Sequence, residues 1–590
     1  MKTLRFAVLA ATAALVAVPG SASAAGVNYP DADWTQASIT EPDGTVLHAD
    51  VLRPKGFGLD ASHKTPVIVS IGPYFNHSGQ VGPAGDTPLE SGTPYDPVGP
   101  SAGPSERFQD FVEGSHLLDS SRPGGAYTFV MVDLRGYGGS TGCPDWAGPG
   151  EQSDVASAIT WAAKQPWSTG AVGTYGKSYD AMTGLIATAL HPEGLKAVVA
   201  QEPVYDDYRY LYGDGIRREN FAATPALYDT ISLTPGPLAD ADPTYNVNGA
   251  QENVASPGCH VTNWGSQAGN DDHYSPYWRQ RNLITEVKGS NVPLFITQGL
   301  TENNTAPDGT AEFLQNHTGP ERGWMGPWNH VRGNEMDGSK LAMGRKGWYD
   351  EVMRWYDQYL QGITPAVQDP PFAIQSVTNG HWRPELQWPP ADASPYTTDL
   401  AAGSYTDDAQ ESGTGDSGAG VWTVSTPLPY DVHMAGSATI TVDASAQLPD
   451  ANVVADIYDL DATGKGPLVA RQGALLRNNG TVTLHMMSAD WRFAAGHRIG
   501  VRITSNNSEW WIAAVPTNQA VTVYGGSATF PFLAYNRTQR AQGDPGTTRG
   551  AWVAKTETAP TDKARAFNLP PALAPEPADM QAALDQYIGK

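Results

Sequence analysis

Short apolar runs rich in β-branched and aromatic residues recur at 67–71, 127–133, 171–175, 195–200, 292–297 and 322–325, and helical spacing, as at 151–164, separates several of them. Strands alternating with helices predict a mostly parallel sheet. Trp348, Val352, Trp355, Tyr356 and Tyr359 share one helical face, with Gly362 and Pro365 behind them, so 348–360 reads as a core-packed helix. Residues from about 203 to 290 interrupt this rhythm with aromatic and acidic positions, which predicts an insertion capping the sheet edge where such folds bind ligands. After residue 370 the pattern becomes alternating at 438–442, 453–458, 481–485, 498–504 and 521–523, between Gly, Asn and Asp turns. That texture predicts a β-sandwich or jelly roll. The stretch 401–420 is rich in Gly, Ser and Asp and reads as a mobile loop.

The first residues change the picture. Lys2 and Arg5 precede an apolar run from Phe6 to Val18 and the small residues Ala22, Ser23 and Ala24. These are the parts of a secretory leader, too short in its apolar stretch to span a bilayer. The expected organisation is a signal peptide at 1–24, a catalytic domain at 25–370 with its cap, and an all-β domain at 371–590. Against 62 acidic residues stand 37 basic ones, a formal charge of −25, which argues against nucleic acid or an anionic membrane as partner. Behind an export signal the only two cysteines, Cys143 and Cys259, predict one disulfide. Closing a loop of more than 100 residues allows on the order of 4 to 5 kcal/mol in the chain-entropy model.

The sharpest chemistry lies at Val172 to Tyr179, where a strand-like run enters Gly176-Lys177-Ser178 and then a helical stretch. A serine hydroxyl is a weak nucleophile, so it needs a sharp strand-to-helix turn, a general base and oxyanion donors. Ser178 is therefore the expected nucleophile. Asp180 stands where the common pattern has glycine, and Ala181 or Gly184 is expected to let the helix pack. The base and its orienting acid should follow strands later in the chain. His330 lies just beyond one such strand, whereas His273 falls in the insertion and His317 after a helix. Glu302 follows the preceding strand, with Asp308 as the second choice for the acid. The Tyr179 N–H and the Tyr74 hydroxyl are the expected oxyanion donors.

Two other motifs lead nowhere. The run from Asp133 to Gly142 has Thr141 where a dinucleotide loop needs its third glycine, and the run from Asp459 to Gly464 has Ala470 where a calcium loop needs glutamate. No metal and no cofactor is expected.

Taken together, Gly72-Pro73-Tyr74, Asp133-x-Arg135-Gly136-x-Gly138, Gly176-Lys177-Ser178-Tyr179, Gly299-Leu300-Thr301-Glu302 and Gly326-Pro327-Trp328-x-His330 resemble the Xaa-Pro dipeptidyl-peptidase and cocaine-esterase family of serine hydrolases. The resemblance implies an α/β-hydrolase domain with a helical cap and a C-terminal jelly roll. It also implies Ser178, Glu302 and His330 as the triad, with Tyr74 and Tyr179 as the oxyanion hole, although the family's acid is usually aspartate. A dipeptidyl-peptidase needs an anionic site for the substrate ammonium and an apolar pocket for proline. Asp206, Asp207, Asp214 and Glu219, beside Tyr205, Tyr208, Tyr210 and Tyr212, supply both residue types, and Asp206, Asp207 and Tyr208 are the expected contacts. The expected function is a secreted, extracellular peptidase acting on peptides, with an esterase or acylase for small esters or amides as the alternative. A binding protein gripping carbohydrate through Trp510 and Trp511 is the reading from another class, and the full Ser, Glu and His set stands against it.

Overall fold

The computed structural model describes residues 29–75, 104–233, 258–408, 420–506, 511–512, 516–547 and 556–590. The expected leader at 1–24 and Trp510 lie outside the described residues. Strands β1 (Ala32–Thr40), β2 (Val46–Pro54), β3 (Thr65–Gly72), β4 (Thr128–Asp133), β5 (Ser168–Lys177) and β6 (Leu195–Gln201) open the first domain. The cap carries β7 (Tyr212–Gly213) and β8 (Ile216–Arg218). There follow β9 (Leu294–Gly299), β10 (Glu321–Gly326), the small hairpin β11 (Met336–Asp337) and β12 (Lys340–Leu341), then β13 (Phe372–Gln375) and β14 (Trp382–Glu385). One ten-stranded sheet runs in the order β1-β2-β4-β3-β5-β6-β9-β10-β13-β14, parallel from β4 to β13 and antiparallel at both ends.

The period-2 geometry of the strands explains why their sequences read as continuous apolar runs. Val67, Val69, Ile71, Val130, Val132, Val198 and Ala200 join one core, while Ile68, Phe129, Met131, Ala197 and Val199 join another on the opposite face. The first core is closed by Val155, Ile159, Met182 and Leu185 of helices Pro149–Lys164 and Tyr179–Leu190. The second is closed by Trp348, Val352 and Trp355 of helix Trp348–Gln361, which ends at Gly362 with φ of 71° and a Gly362 N–H bond to Gln358 O.

The sheet does not stop at residue 370. Phe372 to Ile374 pair in parallel with Gly323 to Met325, and β14 folds back on β13 as far as Glu385. The prolines at 370 and 371 resemble a domain break but only punctuate the entry to another strand.

The C-terminal domain carries β15 (Ala393–Asp399), β16 (Gly403–Thr406), β17 (Val421–Val424), β18 (Val432–Gly436), β19 (Thr439–Ala446), β20 (Ala451–Leu460), β21 (Lys465–Leu476), β22 (Gly480–His485), β23 (Ala489–Phe493), β24 (Arg498–Thr504), β25 (Trp511–Ile512), β26 (Ala520–Leu533) and β27 (Thr556–Thr558), and all of these but β25 build a two-sheet sandwich. One sheet runs β22-β19-β26-β18-β23, with β15 and β16 also on β26, and the other β17-β24-β20-β21-β27. Met434, Ile440, Phe530 and Phe532 from the first meet Val453, Ile457 and Val501 from the second. Part of the stretch expected to be a mobile loop is therefore strand: β16 pairs with β26, and Tyr405 is buried with its hydroxyl donating to Asn452 O at 2.7 Å. Residues 409–419 of that stretch lie outside the described ones.

Between β6 and β9 the cap folds as short helices, among them Asp207–Leu211, Asn220–Leu233 and Gly258–Ala268. Cys143 and Cys259 are joined, tying the loop after β4 to helix Gly258–Ala268. The sandwich touches the cap directly, because β25 pairs with β8. No described helix is long and apolar enough to cross a membrane.

Candidate active site

Strand β5 delivers Ser178 to the C-terminal edge of the sheet, and helix Tyr179–Leu190 leaves at once in another direction. Ser178 itself has φ of 65° and ψ of −121°, a conformation few non-glycine residues hold, and its side chain is half-buried rather than sealed. Gly176 makes the turn possible, since a Cβ there would stand 2.2 Å from Asp180 O. The missing glycine at 180 is replaced by a different arrangement. A Cβ on Gly72, at the end of β3, would lie 1.6 Å from Asp180 Oδ1, so the aspartate passes over a bare backbone and meets Arg107 Nε at 2.5 Å. Gly184 then packs against β6, where its Cβ would approach Val198 Cγ1 at 3.2 Å.

Tyr74 follows β3 and is buried. Its hydroxyl is hydrogen-bonded to the Ser178 side chain and to the Tyr228 hydroxyl of the cap. Burial pushes the phenol up to about 12, with the Arg107 guanidinium, 3.7 Å from the Tyr74 ring centre, opposing that rise. Tyr179 opens the helix, so its N–H has no partner within the helix. Its phenol turns away to donate to Glu151 Oε2 at 2.6 Å.

Glu302 lies in the loop after β9, fully buried. Its Oε1 accepts from Asn304 N at 2.9 Å and Thr305 N at 3.0 Å, and its Oε2 from Ala306 N at 2.8 Å and Thr305 Oγ1 at 2.5 Å. His330 Nδ1, from the loop after β10, stands 3.2 Å from Glu302 Oε1. Burial works to raise the Glu302 carboxyl, but the imidazole and the Thr305 donors outweigh it and hold the carboxyl below its ordinary range. Burial and then the charge of Lys177 hold His330 below the usual histidine value, with Glu302 pulling the other way. The arrangement sets an imidazole held below its usual value 3.2 Å from a carboxyl held below its own, and puts Ser178, on its strained turn, in contact with Tyr74.

The other candidates separate cleanly. Asp308 is engaged by Arg218 and Arg209 of the cap and accepts from Gln472 Nε2 of β21 at 2.9 Å, so it ties three elements together away from His330. His273 Nε2 sits 2.7 Å from Asp206 Oδ2, and His317 bridges Glu321 and Val292 O. Of the expected ammonium contacts, Asp206 also caps its own helix by accepting from Tyr208 N at 2.9 Å. Tyr208 donates to Asp271 O and stacks on His273 with centroids 4.4 Å apart. Both are cap scaffolding. Asp207 differs: it is 2 % exposed and its Oδ2 has no hydrogen-bond partner. Burial pushes its carboxyl up to about 7, against the pull of Arg281.

Sequence reasoning did not find Arg107, Tyr228 or Glu202. Nothing local marks the first two, which reach the site only through folding. Glu202 carries a signal like that of Glu302, an acidic residue within three positions of the end of a parallel strand. The sandwich domain also reaches the acid loop, where Arg471 Nη2 of β21 donates to Asn303 Oδ1 at 2.8 Å.

A family model described as X-Pro dipeptidyl-peptidase (S15 family) matches residues 43–332, and one described as the X-Pro dipeptidyl-peptidase C-terminal non-catalytic domain matches residues 365–545. A provisionally named Xaa-Pro dipeptidyl-peptidase of Streptomyces avermitilis is 23% identical over 455 residues, a match covering 70% of this chain and 61% of that protein. A similarly named protein of Bacillus cereus is 23% identical over 545 residues, covering 82% of this chain and 86% of its own. Among solved structures, a CocE/NonD family hydrolase from Staphylococcus aureus superposes with a TM-score of 0.62 at 16% identity, over 85% of this chain and 94% of that one. That last likeness speaks for the fold. With both family models in tandem on the two domains, the chain belongs to the X-Pro dipeptidyl-peptidase (S15) family of hydrolases.

Proposed function

We propose that the protein is a secreted serine peptidase that releases Xaa-Pro dipeptides from peptide N-termini through an acyl-enzyme. Ser178 Oγ attacks the carbonyl after proline while His330 takes its proton, and Glu302 holds the imidazole Nδ1–H in place. The oxyanion that forms accepts from the Tyr179 N–H and from the Tyr74 hydroxyl, which stays protonated because burial pushes it up to about 12. His330 then protonates the leaving amine, and water repeats the sequence on the acyl-enzyme.

The observation that carries the peptidase reading is Asp207. A carboxylate this buried, with one oxygen lacking any hydrogen bond, is costly unless a partner arrives. It lies close enough to Tyr179 and Tyr210 to act on their charges, which supports a place for the substrate ammonium beside the nucleophile's helix. Asp207→Asn should raise KM for Ala-Pro-p-nitroanilide by about 10- to 100-fold, the worth of a charge-assisted contact, and leave hydrolysis of p-nitrophenyl acetate within about twofold. Equal losses on both substrates, or none on either, would refute the assignment. An esterase of the same family is the second reading, supported by Asp206 and Tyr208 being engaged within the cap. It predicts that N-acetylated substrates are cleaved as well as free ones.

The lowered His330 basicity gives a further expectation. The base must be neutral, so activity is lost as pH falls through the folded value, which lies below the ordinary histidine value of about 6.5. A plot of log kcat/KM against pH should therefore bend on the acid side below about 6.5. A bend above that value would contradict the environment described for His330.

A further inference from the structure

We propose that Glu202 is a positioning residue that locks the acid loop and the base loop to each other, an inference resting on the roles given above to Ser178, Glu302 and His330. Glu202 is the first residue after β6, fully buried, with φ of 48°. A non-glycine residue keeps such a backbone only where its surroundings over-determine it. Those surroundings are the two catalytic loops. Its N–H donates to Thr297 O of β9 at 3.0 Å. Glu202 Oε2 accepts from Gly299 N at 2.7 Å, and Oε1 accepts from Trp328 Nε1 at 2.9 Å and Thr297 Oγ1 at 3.0 Å.

The placement of those donors gives the group its meaning. Gly299 ends β9, three residues before Glu302, and Trp328 stands two residues before His330. The loops are also jammed together there, since a Cβ on Gly299 would lie 2.3 Å from Trp328 O and 3.0 Å from Glu302 Cβ. One carboxyl thus spans both supports of the 3.2 Å contact between His330 Nδ1 and Glu302 Oε1. Among the described residues no cation pairs with it. Burial, and after it the charge of Glu302, pushes the carboxyl up to about 8, so it can hold a proton and bond to both loops without setting a second full charge beside the triad acid. The Thr297 hydroxyl can reverse to accept that proton, whereas the two N–H donors cannot.

Glutamine fits the space but cannot fit the donors, because its NH2 must face either Gly299 N–H or Trp328 Nε1–H. Glu202→Gln should therefore lower kcat on Ala-Pro-p-nitroanilide about tenfold and Glu202→Ala about 100-fold, with KM within about twofold, as expected when a reacting geometry slips without loss of binding. Rates of the parent and the Glu202 variants are taken per site titrated to completion with a fluorophosphonate, so misfolded protein does not count, and Ser178→Ala, which has no site to titrate, is run beside them per mole of protein. If Ser178→Ala is inactive while both Glu202 variants keep kcat within about twofold, the positioning role falls and the triad stands. If Ser178→Ala keeps its activity, the triad falls first. The graded loss from glutamate to glutamine to alanine, confined to kcat, is the expected result.

Discussion

Ser178→Ala should lose at least about 10⁴-fold in kcat on Ala-Pro-p-nitroanilide, because removing the nucleophile leaves only binding and oxyanion stabilisation. The fold should survive. Alanine keeps the same Cβ as serine on the turn at φ of 65°, and the side-chain bond removed is the one to Tyr74, whose hydroxyl still has Tyr228. A melting temperature near that of the parent, together with lost turnover and lost fluorophosphonate labelling, is the expected pattern. Turnover persisting within about tenfold would remove Ser178 from the chemistry and leave the strained turn without an explanation.

Glu302→Gln is the second severe substitution expected, with kcat down about 10³- to 10⁴-fold and KM little changed. Both Glu302 oxygens face donors only: three backbone N–H groups and the Thr305 hydroxyl. An amide NH2 in that ring must oppose at least one N–H, and it no longer holds the His330 proton on Nδ1. Glu302→Asp should fall between the two, since the shorter carboxylate keeps its charge but retreats from an imidazole now 3.2 Å away. A loss smaller than about tenfold in Glu302→Gln would show that another group orients the base. Asp308 is a poor replacement, being held by Arg218, Arg209 and Gln472.

Much of the site is legible in the sequence for one physical reason. Ser178, Glu302, His330 and Tyr74 each follow the end of a buried parallel strand, and such strands announce themselves as apolar runs. Residues that reach the site from elsewhere carry no such mark. Arg107 arrives to brace Asp180 and lie against Tyr74, and Tyr228 comes from the cap to meet the Tyr74 hydroxyl. The acidic residues of the cap show the opposite failure. Composition distinguishes an acidic residue from a neutral one but does not say which carboxylate is already bonded, and only folding separates Asp206, tied to His273, from Asp207, whose Oδ2 has no hydrogen-bond partner. The limit at 370 misleads in the same way, because Pro370 and Pro371 signal a break while the pairing of Phe372 with Gly323 is a long-range fact. Gly403 to Thr406 likewise becomes strand by docking on β26, against its loop-like composition.

The family membership fixes a serine hydrolase, and the peptide reading adds one claim to it: that the enzyme measures two residues from a free N-terminus and cuts after proline. The direct measurement is mass spectrometry of a ten-residue peptide with proline in the second position, incubated with the enzyme and, in parallel, with Ser178→Ala. Release of the N-terminal dipeptide and an eight-residue remainder, absent with Ser178→Ala and absent when the peptide is N-acetylated, is the expected result. An intact peptide under conditions where the same preparation hydrolyses p-nitrophenyl acetate would contradict the peptidase and leave an esterase in its place.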